Sequence, residues 1–143
     1  MSASLITEAE ASDIPRLVDM GRRFFAATGH PAEYDPLAVE DMLRRMMADD
    51  NAAVFCTPGG MIGGVLMPLY CSPQWTVAAE LFWWSEDSSG LKLLRRFEEW
   101  GAERGAREIR MTTLAGLLDA EKILSRRGYK PAEASHSRII QWA

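Results

Sequence analysis

Two neighbouring stretches of this sequence carry residues equipped for chemistry. Glu80 is the lone carboxylate in the apolar run Val77-Ala78-Ala79-Glu80-Leu81-Phe82-Trp83-Trp84. Burial disfavours the charged form, so a carboxylate in such a strand acquires a raised pKa and suits a general base, acting directly or through a water on an amine nucleophile. The same placement also fits a structural carboxylate paired with an arginine, or one that faces solvent where two strands part. Just downstream, Ser88-Ser89-Gly90 runs into Leu91-Lys92-Leu93-Leu94. Small residues opening an amphipathic helix present free backbone N–H groups and the positive end of a helix dipole, a ready site for an anion, above all a phosphate. An ordinary helix cap is the alternative. A phosphate cradle beside a buried carboxylate points to an enzyme that uses a phosphorylated cofactor.

The remaining reactive side chains form no second centre by spacing. His30 and His136 lack acidic neighbours at metal-ligand intervals. Cys56 and Cys71 fall in no metal or redox pattern and read as small buried hydrophobes. Tyr70, Gln74 and Trp75 precede the apolar run, either as a cap over an acceptor or as a packing plug or dimer contact. Trp83 and Trp84 point to opposite faces of their strand and serve the core.

The elements that position these residues follow from periodicity and punctuation. Residues 5–9 read as a short first strand. A helix over 13–28 follows, with Ser12 as its cap and Ile14, Leu17, Val18, Gly21, Phe24 and Phe25 at helical spacing. Asp35-Pro36 starts a second helix carrying Val39, Met42, Leu43, Met46 and Met47. Strands over 52–57 and 61–69 flank Pro58-Gly59-Gly60, a hairpin signal. Residues 70–76 read as a loop and 77–84 as a central strand. The helix after Gly90 reaches about Arg104 and stops at Gly105. A strand over 107–112, a helix over 118–127 closed by Gly128, and a last strand over 136–142 complete the order β-α-α-β-β-β-α-β-α-β, with room for one strand more. This is an α/β (α+β) chain with a mixed, mostly antiparallel sheet and about four flanking helices. No G-x-G-x-x-G follows a strand, which excludes a dinucleotide-binding fold.

Composition bounds the rest. The 143 residues make one domain, 1–143, and 48% hydrophobic content supplies a core. Sixteen basic against twenty acidic residues, net charge -4, argue against nucleic acid as a partner. The arginines at Arg95, Arg96, Arg104, Arg107, Arg126 and Arg127 leave a local basic patch open. No leader pattern and no membrane-spanning apolar run is visible, so a cytoplasmic setting is expected.

This element order, with the strand Glu80-Leu81-Phe82-Trp83-Trp84, the turn Ser88-Ser89-Gly90-Leu91-Lys92 and the late Leu124-Ser125-Arg126-Arg127-Gly128-Tyr129, resembles the GNAT superfamily of acyl-CoA-dependent N-acyltransferases. The resemblance covers nearly the whole chain. It implies acetyl-CoA as cofactor and direct transfer of an acetyl group to a primary amine, with Glu80 as base. Pantetheine would pair with the backbone of the strand Leu81 to Ser85, with Phe82, Trp83 and Trp84 as cofactor-binding residues, where it splays from Arg107 to Thr113. The pyrophosphate would sit on Ser88 to Lys92, and Leu124 would border the cofactor. Acceptor-binding residues would be Phe25, His30 and Tyr34. The family's turn pattern is kept only at Gly90; Ser85 and Ser88 replace its other positions, and Glu86 and Asp87 stand close to the phosphate. The family's thiolate-protonating tyrosine falls on Leu124 and its asparagine near Leu117, which leaves Ser125 and Tyr129 as replacement acids. The thiolate can also take its proton from solvent. The apolar ending Ile139-Ile140-Gln141-Trp142 suits the late-strand homodimer that such proteins often form. Two other functions fit the same fold: a catalytically silent acyl-CoA-binding or structural module, and a toxin-like enzyme that acetylates a macromolecule such as a charged transfer RNA.

Overall fold

The computed structural model describes residues 5–114 and 118–141. The chain divides into two compact units, Met1–Thr112 and Thr113–Ala143. Among the described residues no helix is long and apolar enough to cross a membrane.

The first unit opens with β1 (Thr7–Glu8) and a 3-10 turn over Ala11–Asp13 that leads into α1 (Ile14–Thr28). Ser12 was the cap expected from sequence; it lies inside that turn instead. Asp13 takes the helix end, its carboxylate accepting the Glu10 N–H at 2.8 Å. Ile14, Leu17, Met20 and Gly21 are buried along one stripe of α1, and Gly29 ends the helix at φ 68°, a left-handed conformation that glycine adopts at little cost. For α2 (Pro36–Ala48) the cap is as read: the Asp35 carboxylate accepts the Leu37 and Ala38 N–H groups, both at 3.1 Å. Asp35→Ala strands those donors. It should cost about 1 kcal/mol of stability in a urea titration, while Asp35→Ser should keep most of it.

The sheet continues through β2 (Ala52–Thr57), β3 (Gly60–Leu69), β4 (Ser72–Ser85) and β5 (Glu108–Arg110), in the spatial order β1-β2-β3-β4-β5. All neighbours are antiparallel except β4 and β5, which run parallel after the crossover through α3 (Gly90–Glu103). Helices cover both faces, so β2 is buried throughout and its side chains sort by parity. Ala52, Val54 and Cys56 join Leu17, Met20, Leu43 and Met46 in one cluster. Ala53 and Phe55 join Leu93, Phe97 and Trp100 in the other.

β4 begins earlier than its sequence suggests. Residues 70–76 read as a loop, yet Ser72 already pairs with Leu69 and only Tyr70 and Cys71 turn the chain. The ladder with β3 overhangs the core there, and Ser72, Pro73 and Gln74 are exposed, so nothing required apolar residues.

The second unit contains α4 (Leu118–Arg126), closed by Gly128 at φ 89° with the Tyr129 N–H on the Leu124 carbonyl at 3.0 Å. The strand expected over 136–142 does not form across 136–141, where no residue pairs with a strand. A strand needs a hydrogen-bonded neighbour, which the mixed local pattern of Ser137-Arg138-Ile139-Ile140 could not reveal. Leu117 and Trp142 lie outside the described residues.

Candidate active site

Glu80 owes its position to an irregularity in the sheet. Gly63 pairs with Phe82 and Gly64 with Glu80, so Leu81 is an extra residue in β4, a β-bulge. The bulge flips the strand's alternation. Ala78 belongs to the cluster under α3, whereas Phe82 belongs to the cluster under α1 and α2. In a regular strand these two residues would share a face. Gly63-Gly64 makes room for the irregularity. A Cβ on Gly63 would lie 2.3 Å from the Phe82 ring, and one on Gly64 would lie 2.4 Å from the Ala79 carbonyl oxygen. A Gly pair inside a strand pattern is the sequence signal for such a bulge.

The bulge coincides with the place where the sheet opens. Pairing between β4 and β5 ends at Ala79 and Arg110. Residues 80–85 of β4 keep β3 on one edge and have no strand on the other among the described residues. Glu80 sits in this fork with 8% of its surface exposed. Its Oε2 accepts the Thr112 hydroxyl at 2.7 Å and the Thr112 N–H at 3.2 Å. Burial pushes the carboxyl above its ordinary range, and the two Thr112 bonds pull only partly the other way. Among the described residues no arginine pairs with it. Thr112 lies 32 residues along the chain from Glu80, too far for local sequence to link them.

The turn before α3 is built from hydroxyls and acids. Ser89, 1% exposed, shares its hydroxyl with the equally buried Thr57 at 2.9 Å. The adjacent acids point in opposite directions. Glu86 reaches Arg23 of α1 through two bonds of 2.6 and 2.9 Å, which hold its carboxyl below the ordinary range. Asp87 folds inward: its Oδ1 accepts the Ser89 hydroxyl at 2.5 Å and the Ser89 N–H at 2.9 Å, with the Ser85 hydroxyl 3.1 Å away. The Ser89 bonds are the main reason its carboxyl is held low. The N–H groups of Ser88, Gly90, Leu91 and Lys92 meet no acceptor among the described residues, and Lys92 forms no ion pair there.

The other predicted residues fall as follows. Phe82 lies buried over Gly63; Trp83 packs in the cluster under α3 and donates its indole N–H to the Gly90 carbonyl at 3.0 Å; Trp84 packs at a tilt against Phe24, ring centroids 5.2 Å apart. Their backbone lies on the strand edge that β5 leaves open among the described residues. Phe25, His30 and Tyr34 do come together, with ring centroids 5.9 and 5.8 Å apart. Two of their polar atoms are already employed. Tyr34 donates to the Val18 carbonyl at 2.7 Å, and His30 Nδ1 accepts the Ala32 N–H at 3.1 Å. Leu124, Ser125 and Tyr129 belong to the second unit, with Ser125 exposed on α4.

No family profile matches the chain, and no curated protein matches it in sequence. Solved structures match it over nearly its whole length. A GCN5-related N-acetyltransferase from Ralstonia eutropha JMP134 superposes with TM-score 0.72 at 16% identity, covering 96% of this chain and 99% of that one. A predicted acetyltransferase from Clostridium acetobutylicum, solved with acetyl-CoA, gives TM-score 0.77 at 12% identity over 96% of both chains. A transcriptional regulator from Bacillus halodurans C-125 gives TM-score 0.77 at 19% identity, covering 96% of this chain and all of that one. The chain therefore has the fold of the GCN5-related N-acetyltransferases, the GNAT fold: a mixed, mostly antiparallel sheet with helices on both faces.

Proposed function

We propose that this protein is an acetyltransferase that moves an acetyl group from acetyl-CoA to a primary amine by direct attack. The observation that carries the reading is Glu80, buried in the fork between β4 and β5 and held there by Thr112. A neighbour of this fold carries acetyl-CoA. The fork offers a free strand edge at 80–85, and the turn offers the N–H groups of Ser88, Gly90, Leu91 and Lys92; these suit an extended amide-bearing arm and a pyrophosphate, respectively. Bound there, the cofactor supplies an activated thioester. Glu80, with its pKa moved toward neutrality, accepts a proton from the acceptor amine, directly or through a water. Backbone N–H groups beside the bulge would polarise the thioester carbonyl; as the C–N bond forms the C–S bond would break, and CoA would leave as the thiolate and take its proton from solvent.

One observation favours a second reading, a silent acyl-CoA-binding or structural module: Leu124, buried and aliphatic, holds the place where the resemblance puts the thiolate-protonating tyrosine. Calorimetric titration with acetyl-CoA, followed by a free-thiol release assay over a panel of primary amines, separates the two. Binding with amine-dependent thiol release supports the enzyme. Binding without release for any amine supports the module, and absence of binding overturns both.

A further inference from the structure

We infer that Asp87 is a built-in competitor for the cofactor's pyrophosphate, seated in the turn that would receive it; the inference rests on the acetyl-CoA reading above. A phosphate cradle works by offering unsatisfied N–H groups at a helix start. Here one of those donors is not on offer. Asp87 Oδ1 takes both the N–H and the hydroxyl of Ser89, at 2.9 and 2.5 Å. The other oxygen, Oδ2, lies so close to the β2–β3 turn that a Cβ on Gly59 would come within 2.4 Å of it. The turn itself is anchored beneath this acid: Glu86 N–H donates to the Gly59 carbonyl at 2.7 Å, and Ser89 bonds the buried Thr57 hydroxyl. Asp87 is thus a fitted occupant, not a residue that happens to lie nearby.

The consequence is a two-state turn. With Asp87 seated, an incoming pyrophosphate meets a carboxylate on its own donor and a like charge at close range. With Asp87 rotated outward, which its exposure permits, the Ser89 N–H joins those of Gly90, Leu91 and Lys92. Glu86 need not move, because Arg23 already holds it away. Apparent cofactor affinity is then reduced by the fraction of molecules with the seat occupied.

The test is calorimetric titration of the full chain, Asp87→Asn and Asp87→Ala with CoA and with inorganic pyrophosphate, each protein first checked by thermal melting. Asp87→Ala empties the seat and should bind CoA tighter by about tenfold or more, equivalent to about 1.4 kcal/mol. Asp87→Asn keeps an oxygen on the Ser89 N–H but removes the charge, so a smaller tightening is expected. If Asp87→Ala does not fold, Asp87→Asn is decisive alone. A native chain that binds CoA as tightly as its variants overturns the competitor and leaves the cofactor reading standing. A native chain that binds neither probe while the variants bind both upholds the competitor and removes acetyl transfer by the native chain. No binding of either probe by any of the three proteins overturns both.

Discussion

Glu80→Gln should lower kcat/KM for amine acetylation by about 10²–10⁴-fold, the range over which a positioned general base contributes. Acetyl-CoA affinity measured by titration should stay unchanged, since the substitution lies on the acceptor side of the reaction. Glutamine is nearly isosteric and its carbonyl oxygen can still accept the Thr112 hydroxyl and N–H that Glu80 now holds at 2.7 and 3.2 Å. The loss would therefore be one of proton acceptance, not of architecture. The pH profile gives the second check. The carboxyl is raised from its ordinary 4.5 by burial. The basic form grows as pH rises through that elevated value, so native kcat/KM should climb on an acid limb that the variant lacks. Stability should move the opposite way. A carboxyl whose folded pKa exceeds its unfolded one binds extra protons in the native state, so its contribution is full below the unfolded pKa and is lost as pH rises through the folded value. Glu80→Gln should accordingly melt higher than the native chain at neutral pH, with the gap closing below pH 4.5, the ordinary value. Equal rates for variant and native chain across pH would remove Glu80 from the chemistry.

Where the chain's information is local, the sequence announces the structure. Asp35-Pro36 starts α2, Gly29 and Gly105 end helices at positive φ, and the 3.6-residue stripe of Leu93, Leu94, Phe97, Trp100 and Gly101 gives α3 its buried face. Glu80 stood out because a charge in a two-faced apolar strand is costly unless it has a purpose. What escaped is non-local. The partner of Glu80 lies on a segment beyond α3. The start of β4 at Ser72 is fixed by its ladder with β3, not by its own polar residues. The strand expected at 136–142 had a tolerable pattern, but among the described residues 136–141 pair with no strand. Asp87 was visible beside the turn; whether it pointed out or in depended on the Ser85, Ser89 and Thr57 hydroxyls gathered from three elements. Tyr34 and His30 were placed near Phe25 by the fold, yet their hydrogen bonds to Val18 and Ala32 are choices that periodicity cannot display.

Gly64→Ala is the stability counterpart of Glu80→Gln, and it tests whether the bulge is what places the carboxylate. Gly64 is the residue opposite Glu80. An added Cβ there would stand 2.4 Å from the Ala79 carbonyl oxygen and 2.6 Å from the Phe97 ring. The ring can be trimmed, since side chains repack; the carbonyl belongs to the β4 backbone and can yield only if the strand moves. Overpacking of this kind costs about 1–3 kcal/mol and more when backbone must shift. At this chain length that is a drop of several degrees in melting temperature. Phe97→Leu in the same chain should recover little, because it relieves the ring and leaves the Ala79 oxygen where it was. Activity should fall further than stability predicts, because moving the strand at Ala79 carries Glu80 away from Thr112. By contrast Gly90→Ala, whose Cβ would find its nearest neighbour at an ordinary 3.4 Å, should fold as the native chain does. If Gly64→Ala melts with the native chain, the close approach of β3 to β4 is not a constraint on the fold. If instead it melts low but keeps native kcat/KM at a temperature where it is folded, the bulge stabilises the sheet without positioning Glu80.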